Sequence, residues 1–167
     1  MKRPHIEDAW KAFKEVYDDV GKTVSGVGTK IGGKVDYNIN KIPQGQGRFE
    51  NACAIRLSYV LNQTGVKIPF ISGQTVSGKS GNWYIYKVNT MIAYLKKVFG
   101  DPDEVFLSPN EIDFSKKKGI LVFEVDQWVD ASGHATIWNG TECSDKCYFP
   151  ISKKAYLWEL KSKYSAF

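Results

Sequence analysis

Asn139-Gly140, inside the stretch GHATIWNGTECSDKCYF, is the feature that most limits what this chain can become. Asparagine followed by glycine is the strongest short-range signal for a two-residue hairpin turn, because both central positions require positive φ. The flanking segments are therefore expected to fold back on one another as antiparallel strands. Such a turn pairs Trp138 with Thr141 and, counting outward, His134 with Asp145. Directly opposed residues share a face, with Cβ atoms about 4.5–5.5 Å apart. A carboxylate at that distance can hold the Nδ1–H of His134 and leave Nε2 pointing at a nucleophile.

What precedes the hairpin is mostly helical in pattern. Ile6, Ala9, Trp10, Phe13, Val16 and Tyr17 repeat at helical spacing and predict an amphipathic helix over Ile6–Val20. A second helix is expected from Ala52 to Gln63, with Asn51 as N-cap and Gly65 just past its end. A third, Val88–Phe99, is stopped by Gly100 and Pro102. Between the first two lies GKTVSGVGTKIGGKVDYNINKIPQGQGRF, whose Gly, Asn and Lys content predicts loop with short extended pieces at most. Its GVGTKIGG matches neither G-x-G-x-x-G nor a Walker pattern and reads as a flexible loop. The stretch VKIPFISGQTVSGKSGNWYIYKV alternates turn residues with aromatics, as a loop or short hairpin would. Gly119–Val125 is β-branched and aromatic, a central strand, and Ala155–Lys161 is expected to be a short C-terminal helix. Helices first and sheet later is an α+β order.

The chain has 167 residues, enough for one domain with a real core, and residues 1–167 are read as that one domain. No apolar run approaches the roughly 18–20 residues that span a bilayer, so membrane insertion is not expected. The start, MKRPHIEDAWKAFKEVYDDV, lacks the apolar region of a secretory signal, so action outside the cytoplasm would need another export route. The net charge of +5 suits an acidic partner or plain solubility. The lysines are dispersed, with Lys116–Lys118 the densest run, and no nucleic-acid signature accompanies them.

Three cysteines leave one or three free thiols. Cys143 and Cys147 form a C-x3-C pair with no second pair, and the histidines stand at 5 and 134, so no metal site is expected. Cys53, in the first turn of its helix, shares an apolar face with Leu57, Val60 and Leu61. A buried core thiol fits that pattern. A nucleophile fits it too: a helix start and a nearby imidazolium can bring a thiol from about 8.5 into the range of roughly 3.5–7.5. The thiolate would attack an amide carbonyl, and His134 would protonate the leaving amine. Backbone N–H groups at the helix start, that of Cys53 included, would face the oxyanion. Cysteine on a helix, then histidine and aspartate on a following sheet, is the order of papain-like peptidases. From the residues alone both readings stay open. Arg56, one turn from Cys53, is a candidate for a substrate carboxylate or for a structural salt bridge. Trp138 shares a face with His134 and is a candidate to line a cleft or to pack beside it. The aromatics of NWYIYKV stand between the same alternatives, a cleft wall or packing.

GRFENACAIRLSYVLNQTGV, together with SGHATIWNG and CSDKC, resembles the fourth family of type VI secretion amidase effectors. The resemblance runs over most of the chain and is vague over 21–44 and 72–82. It implies an NlpC/P60-like fold, a reduced papain-like core with the cysteine at a helix start packed on an antiparallel sheet. It implies a cofactor-free peptidoglycan endopeptidase that cleaves the amide between γ-D-glutamate and meso-diaminopimelate in stem peptides. The family's catalytic cysteine, histidine and aspartate fall on Cys53, His134 and Asp145. Such a protein is made in the cytoplasm, delivered by the type VI machinery without a signal peptide, and acts in the periplasm of target bacteria. A cognate immunity protein blocks the cleft in the producer. Another acyltransferase or peptidase of the same fold, or a non-catalytic cell-wall-binding module, is the alternative. For Cys143 and Cys147 a disulfide needs Cα atoms about 4.4–6.8 Å apart, whereas strand residues four apart lie about 13 Å apart. A tight turn with a disulfide formed in an oxidising periplasm is expected, with separate reduced thiols as the alternative.

Overall fold

The computed structural model describes residues 1–126 and 133–164. Five α-helices are seen among the described residues: α1 (Ile6–Val16), α2 (Val24–Ile31), α3 (Gly33–Asp36), α4 (Cys53–Gln63) and α5 (Val88–Phe99). The strands are β1 (Thr75–Ser77), β2 (Trp83–Ile85), β3 (Glu104–Leu107), β4 (Gly119–Glu124), β5 (Gly133–Trp138) and β6 (Lys154–Glu159). β1 and β2 form a small hairpin, and the other four make an antiparallel sheet in the order β3-β6-β4-β5. The fold is α+β, as the element order implied.

Alternation along the inner strands explains the layering. Ile120 and Val122 of β4, Ala135 and Ile137 of β5, and Tyr156 and Trp158 of β6 face a core shared with α1, α4 and α5. The intervening Leu121, Phe123, Ala155 and Leu157 face a second core with Phe114, Trp138 and Phe149. Both faces of β4 are thus covered, which is why GILVFE reads as a continuous apolar run. α4 lies against β5 and β2, and nearly all of it is buried. A third cluster ties Ile55 and Tyr59 of α4 to Val16, Val27, Ile31, Val35 and Tyr84.

Three expectations are corrected. The segment after Gly21 is loop only from residue 42 onward: α2, α3 and a π-helical turn (Tyr37–Lys41) occupy what precedes it. Thr23 caps α2 by accepting from the Gly26 N–H at 2.9 Å, and the apolar residues Val27, Ile31 and Val35 give it a buried face. The glycines that argued against helix allow close packing instead. A Cβ on Gly28 would lie 2.6 Å from Asn40 Nδ2, which donates to Ser25 O and Asp36 Oδ1. The C-terminal segment is strand β6 rather than helix, because its alternating apolar residues insert between β3 and β4. Tertiary pairing overrides local helix propensity here.

The third correction concerns the turn at Asn139-Gly140. Asn139 Oδ1 accepts from the N–H groups of Thr141 and Glu142 at 2.9 and 2.8 Å, and Asn139 N donates to Glu142 O. The turn is therefore wider than two residues, and Trp138 bridges to Cys143 instead of Thr141. Beyond that bridge the return chain leaves the sheet. The hairpin direction was right and the register was not. α1 stops at Val16, a 3-10 turn carries on to Val20, and Gly21 closes it at φ +74°.

Candidate active site

α4 begins where β5 begins, and this places Cys53 beside His134. Asn51 caps from one position further out than expected, since Ala52 holds the N-cap position while Asn51 Oδ1 accepts from Cys53 N–H at 2.9 Å. That N–H, expected to face an oxyanion, is thus already engaged. The Cys53 thiol is 2% exposed, and its Sγ lies 3.8 Å from Gly133 O. At the other end of α4, Gly65 (φ +95°) follows the C-cap residue Thr64, as a terminating glycine does.

His134 stands opposite Phe123 in the β4–β5 ladder, next to the first residue of β5, Gly133, whose carbonyl lies near Cys53 Sγ. Its Nε2 lies 3.0 Å from Asp145 Oδ1, and the imidazole also hydrogen-bonds the Cys53 side chain. The nitrogen given to Asp145 is therefore Nε2, the reverse of the expected assignment, and Nδ1 is left for the thiol. The Tyr148 ring meets the imidazole edge to face at 4.8 Å. Burial alone would push the His134 pKa down. The hydrogen bonds and charges of Asp145 and Cys53 outweigh it and hold the imidazole at about 9. His134 is thus a cation at neutral pH.

Asp145 arrives by an unexpected route. The Cys143–Cys147 disulfide spans a Cα–Cα distance of 5.5 Å and curls the chain into a tight turn. Ser144 pins that turn to β5: its N–H donates to Ile137 O at 2.8 Å, and its Oγ accepts from Ile137 N–H at 3.2 Å. Thr136 donates to Asp145 Oδ1 at 2.6 Å. The carboxylate side chain is only 3% exposed. Burial would raise its pKa, but the His134 hydrogen bond and charge, Thr136 and the Lys146 backbone N–H hold it below the usual range. A buried carboxylate with this many donors stays ionised. Nothing in the sequence pattern singled out Tyr148 or Ser144. Thr136 was accessible to inference, because position i+2 on a strand shares the face of His134.

A cleft of about 370 Å³ opens over this cluster, lined by Tyr17, Lys22, Asn51, Arg56, His134, Asp145, Lys146 and Tyr148 among others. Arg56 faces it. No salt bridge involving Arg56 forms among the described residues, and its guanidinium lies 5.0 Å from the Tyr17 ring centroid instead. Trp138 is not in the cleft. It is fully buried, donates from Nε1 to Phe114 O at 2.9 Å, and packs on Phe149. Its candidacy as a substrate contact is therefore overturned, since a strand residue four beyond His134 shares its face but lies about 13 Å along it. In NWYIYKV, Tyr84 is buried and Tyr86 stacks on Phe49 at 4.8 Å, so these aromatics pack rather than line this cleft. Ser132, in the motif SGHATIWNG, lies outside the described residues.

The cluster can do one kind of chemistry well. A thiol beside a buried, carboxylate-held imidazolium can become a thiolate, attack an acyl carbon, and have the leaving group protonated by the same ring.

A family model for the type VI secretion system amidase effector protein 4 matches residues 49–158. Among solved structures, the Tae4–Tai4 type VI effector–immunity complex from Enterobacter cloacae matches at 42% identity and a TM-score of 0.85, covering 96% of this chain and 100% of that one. The type VI effector Tae4 from Enterobacter cloacae matches at 42% identity and a TM-score of 0.85, covering 96% and 98%. The Tae4–Tai4 complex from Salmonella Typhimurium matches at 42% identity and a TM-score of 0.83, covering 95% and 99%. No curated protein matches the chain.

Proposed function

The chain belongs to the amidase effector protein 4 family of the type VI secretion system, and from that premise we propose that it is a cysteine endopeptidase of peptidoglycan. In this reading residues 1–167 form one NlpC/P60-like amidase domain. It cleaves the γ-D-glutamyl–meso-diaminopimelate amide of stem peptides in the periplasm of target bacteria. The observation that carries the reading is the buried Asp145–His134–Cys53 chain, of which His134 and Asp145 line the cleft.

Asp145 holds Nε2 and stabilises the imidazolium, while Nδ1 serves the thiol. The Cys53 thiolate adds to the γ-carbonyl carbon, and the electron pair moves onto the oxygen. As the tetrahedral intermediate collapses, the C–N bond breaks and His134 gives its Nδ1 proton to the departing diaminopimelate amine. A thioester remains. Neutral His134 then takes a proton from water, hydroxide adds to the thioester, and the C–S bond breaks to release the glutamyl carboxylate. Asp145 stays ionised throughout.

The basic excess draws the protein towards a wall whose peptides carry free carboxylates. The effector–immunity complexes of the relatives support a cognate immunity protein for this chain, which in this reading blocks the cleft. Digestion of purified sacculi, followed by mass analysis of the released peptides, tests the reading. The expected products carry a new diaminopimelate amino group and a new γ-glutamyl carboxylate. A product bearing a transferred acyl group would favour an acyltransferase. Sacculi that retain the protein and release nothing would favour a binding module.

A further inference from the structure

Arg56 is a buried charged side chain in the cleft wall whose placement the triad does not explain. It follows Cys53 by three positions in α4, so the two side chains are neighbours on one helix face, with Cβ atoms about 5–6 Å apart. The residue is 7% exposed, and its Nε has no hydrogen-bond partner among the described residues. The Tyr17 ring backs the guanidinium at 5.0 Å. Asp145 and Cys53 act on it through space, and no hydrogen bond to either is formed. Asp145 is already committed to His134 and Thr136. Burial pushes the guanidinium below its ordinary range against the pull of Asp145, so the group is desolvated without being neutralised by a bonded partner. A desolvated cation with unused donors is costly in the free protein, and an anion that enters the cleft would relieve that cost. Lys22 and Lys146 add positive charge at the same rim, set against Glu50 and Asp145 in the same lining.

Resting on the endopeptidase reading above, we propose that Arg56 determines substrate specificity by receiving the free α-carboxylate of the γ-linked glutamyl residue. A γ-linkage leaves that carboxylate unreacted and only a few bonds from the carbonyl that Cys53 attacks. In a stem peptide that continues past diaminopimelate, it is the free carboxylate closest to the scissile amide. The planar guanidinium fork, backed by Tyr17, matches a carboxylate in bidentate fashion. Bound there, the carboxylate fixes the register of the γ-carbonyl over Cys53. A residue whose α-carboxyl is amidated presents a neutral group, leaving the guanidinium buried and unpaired.

The test compares two stem tetrapeptides ending in D-alanine, one with γ-D-glutamate and one with γ-D-isoglutamine before meso-diaminopimelate. Wild type is expected to favour the acid by on the order of 10²-fold in kcat/KM. Arg56→Met should reduce that ratio to near one, with the loss on the acid substrate carried mainly by KM. Its denaturant unfolding midpoint should stay close to that of wild type, which reports that the variant is folded. Arg56→Lys should keep a reduced preference for the acid, and it carries the test if the Met variant loses both substrates. Equal cleavage of both substrates by wild type, or full acid preference in Arg56→Met, would overturn the assignment while leaving the endopeptidase reading intact. Cleavage of neither by wild type would remove the endopeptidase reading, and this one with it.

Discussion

Asp145 reaches His134 Nε2 at 3.0 Å from a disulfide-closed turn and not from a paired strand. The carboxylate is held by the turn, by Ser144 on the Ile137 backbone, and by Thr136. This makes the acid's position dependent on covalent and polar ties outside the sheet ladder.

Removing the charge of Asp145 should therefore unmake the imidazolium. Asp145→Asn is expected to lower kcat/KM on a stem peptide by on the order of 10²–10⁴-fold. The alkaline limb of its pH profile should move down from about 9 towards the ordinary histidine value. Steady-state kinetics across pH 5–10 would check both effects.

Stability should follow the same proton. The folded-state pKa of His134 is raised from 6.5 to about 9. Its contribution is thus fully present below about pH 6.5 and lost as pH rises through about 9. The shift corresponds to at most about 3 kcal/mol. Urea unfolding between pH 6 and 10 should show wild type losing this increment and His134→Asn lacking it.

The disulfide should matter more to catalysis than to the fold. It closes a loop with a sequence separation of 4, for which chain entropy gives only about 2 kcal/mol. The double variant Cys143→Ser, Cys147→Ser should stay folded by circular dichroism and lose that increment in denaturant unfolding. Its kcat should fall by more than tenfold as the Asp145 turn loosens.

Trp138 separates core from cleft. Trp138→Phe removes the Nε1 bond to Phe114 O and part of a fully buried ring. Stability should fall by about 1–3 kcal/mol, while KM for a stem peptide stays unchanged. A large KM effect at unchanged stability would return Trp138 to the cleft.

The comparison of sequence with structure turns on where local signals and tertiary contacts agree. α4, α5 and β4 were legible because periodicity, caps and terminating glycines coincide with burial. α2 was not, because Gly26, Gly28 and Gly32 carry low helix propensity and their use as close-packing points is visible only in three dimensions. β6 was misread because KAYLWE acquires its strand partners from β3 and β4, both distant in sequence. The His134–Asp145 pairing came out right by a wrong register, since Asn139 widened the turn and the disulfide brought Asp145 back. The assignment of the two imidazole nitrogens depended on that path and came out reversed.

The most direct measurement of the central claim is the cleavage rate of a purified γ-D-glutamyl–meso-diaminopimelate peptide by wild type and by Cys53→Ala. The thiol is the group hydrogen-bonded to His134 that forms the acyl-enzyme in this account, so the variant should lose cleavage by at least on the order of 10⁴-fold while its unfolding free energy stays within about 1 kcal/mol of wild type. Equal rates for the two proteins would contradict the account, and Cys53 would then be a core residue at a helix start.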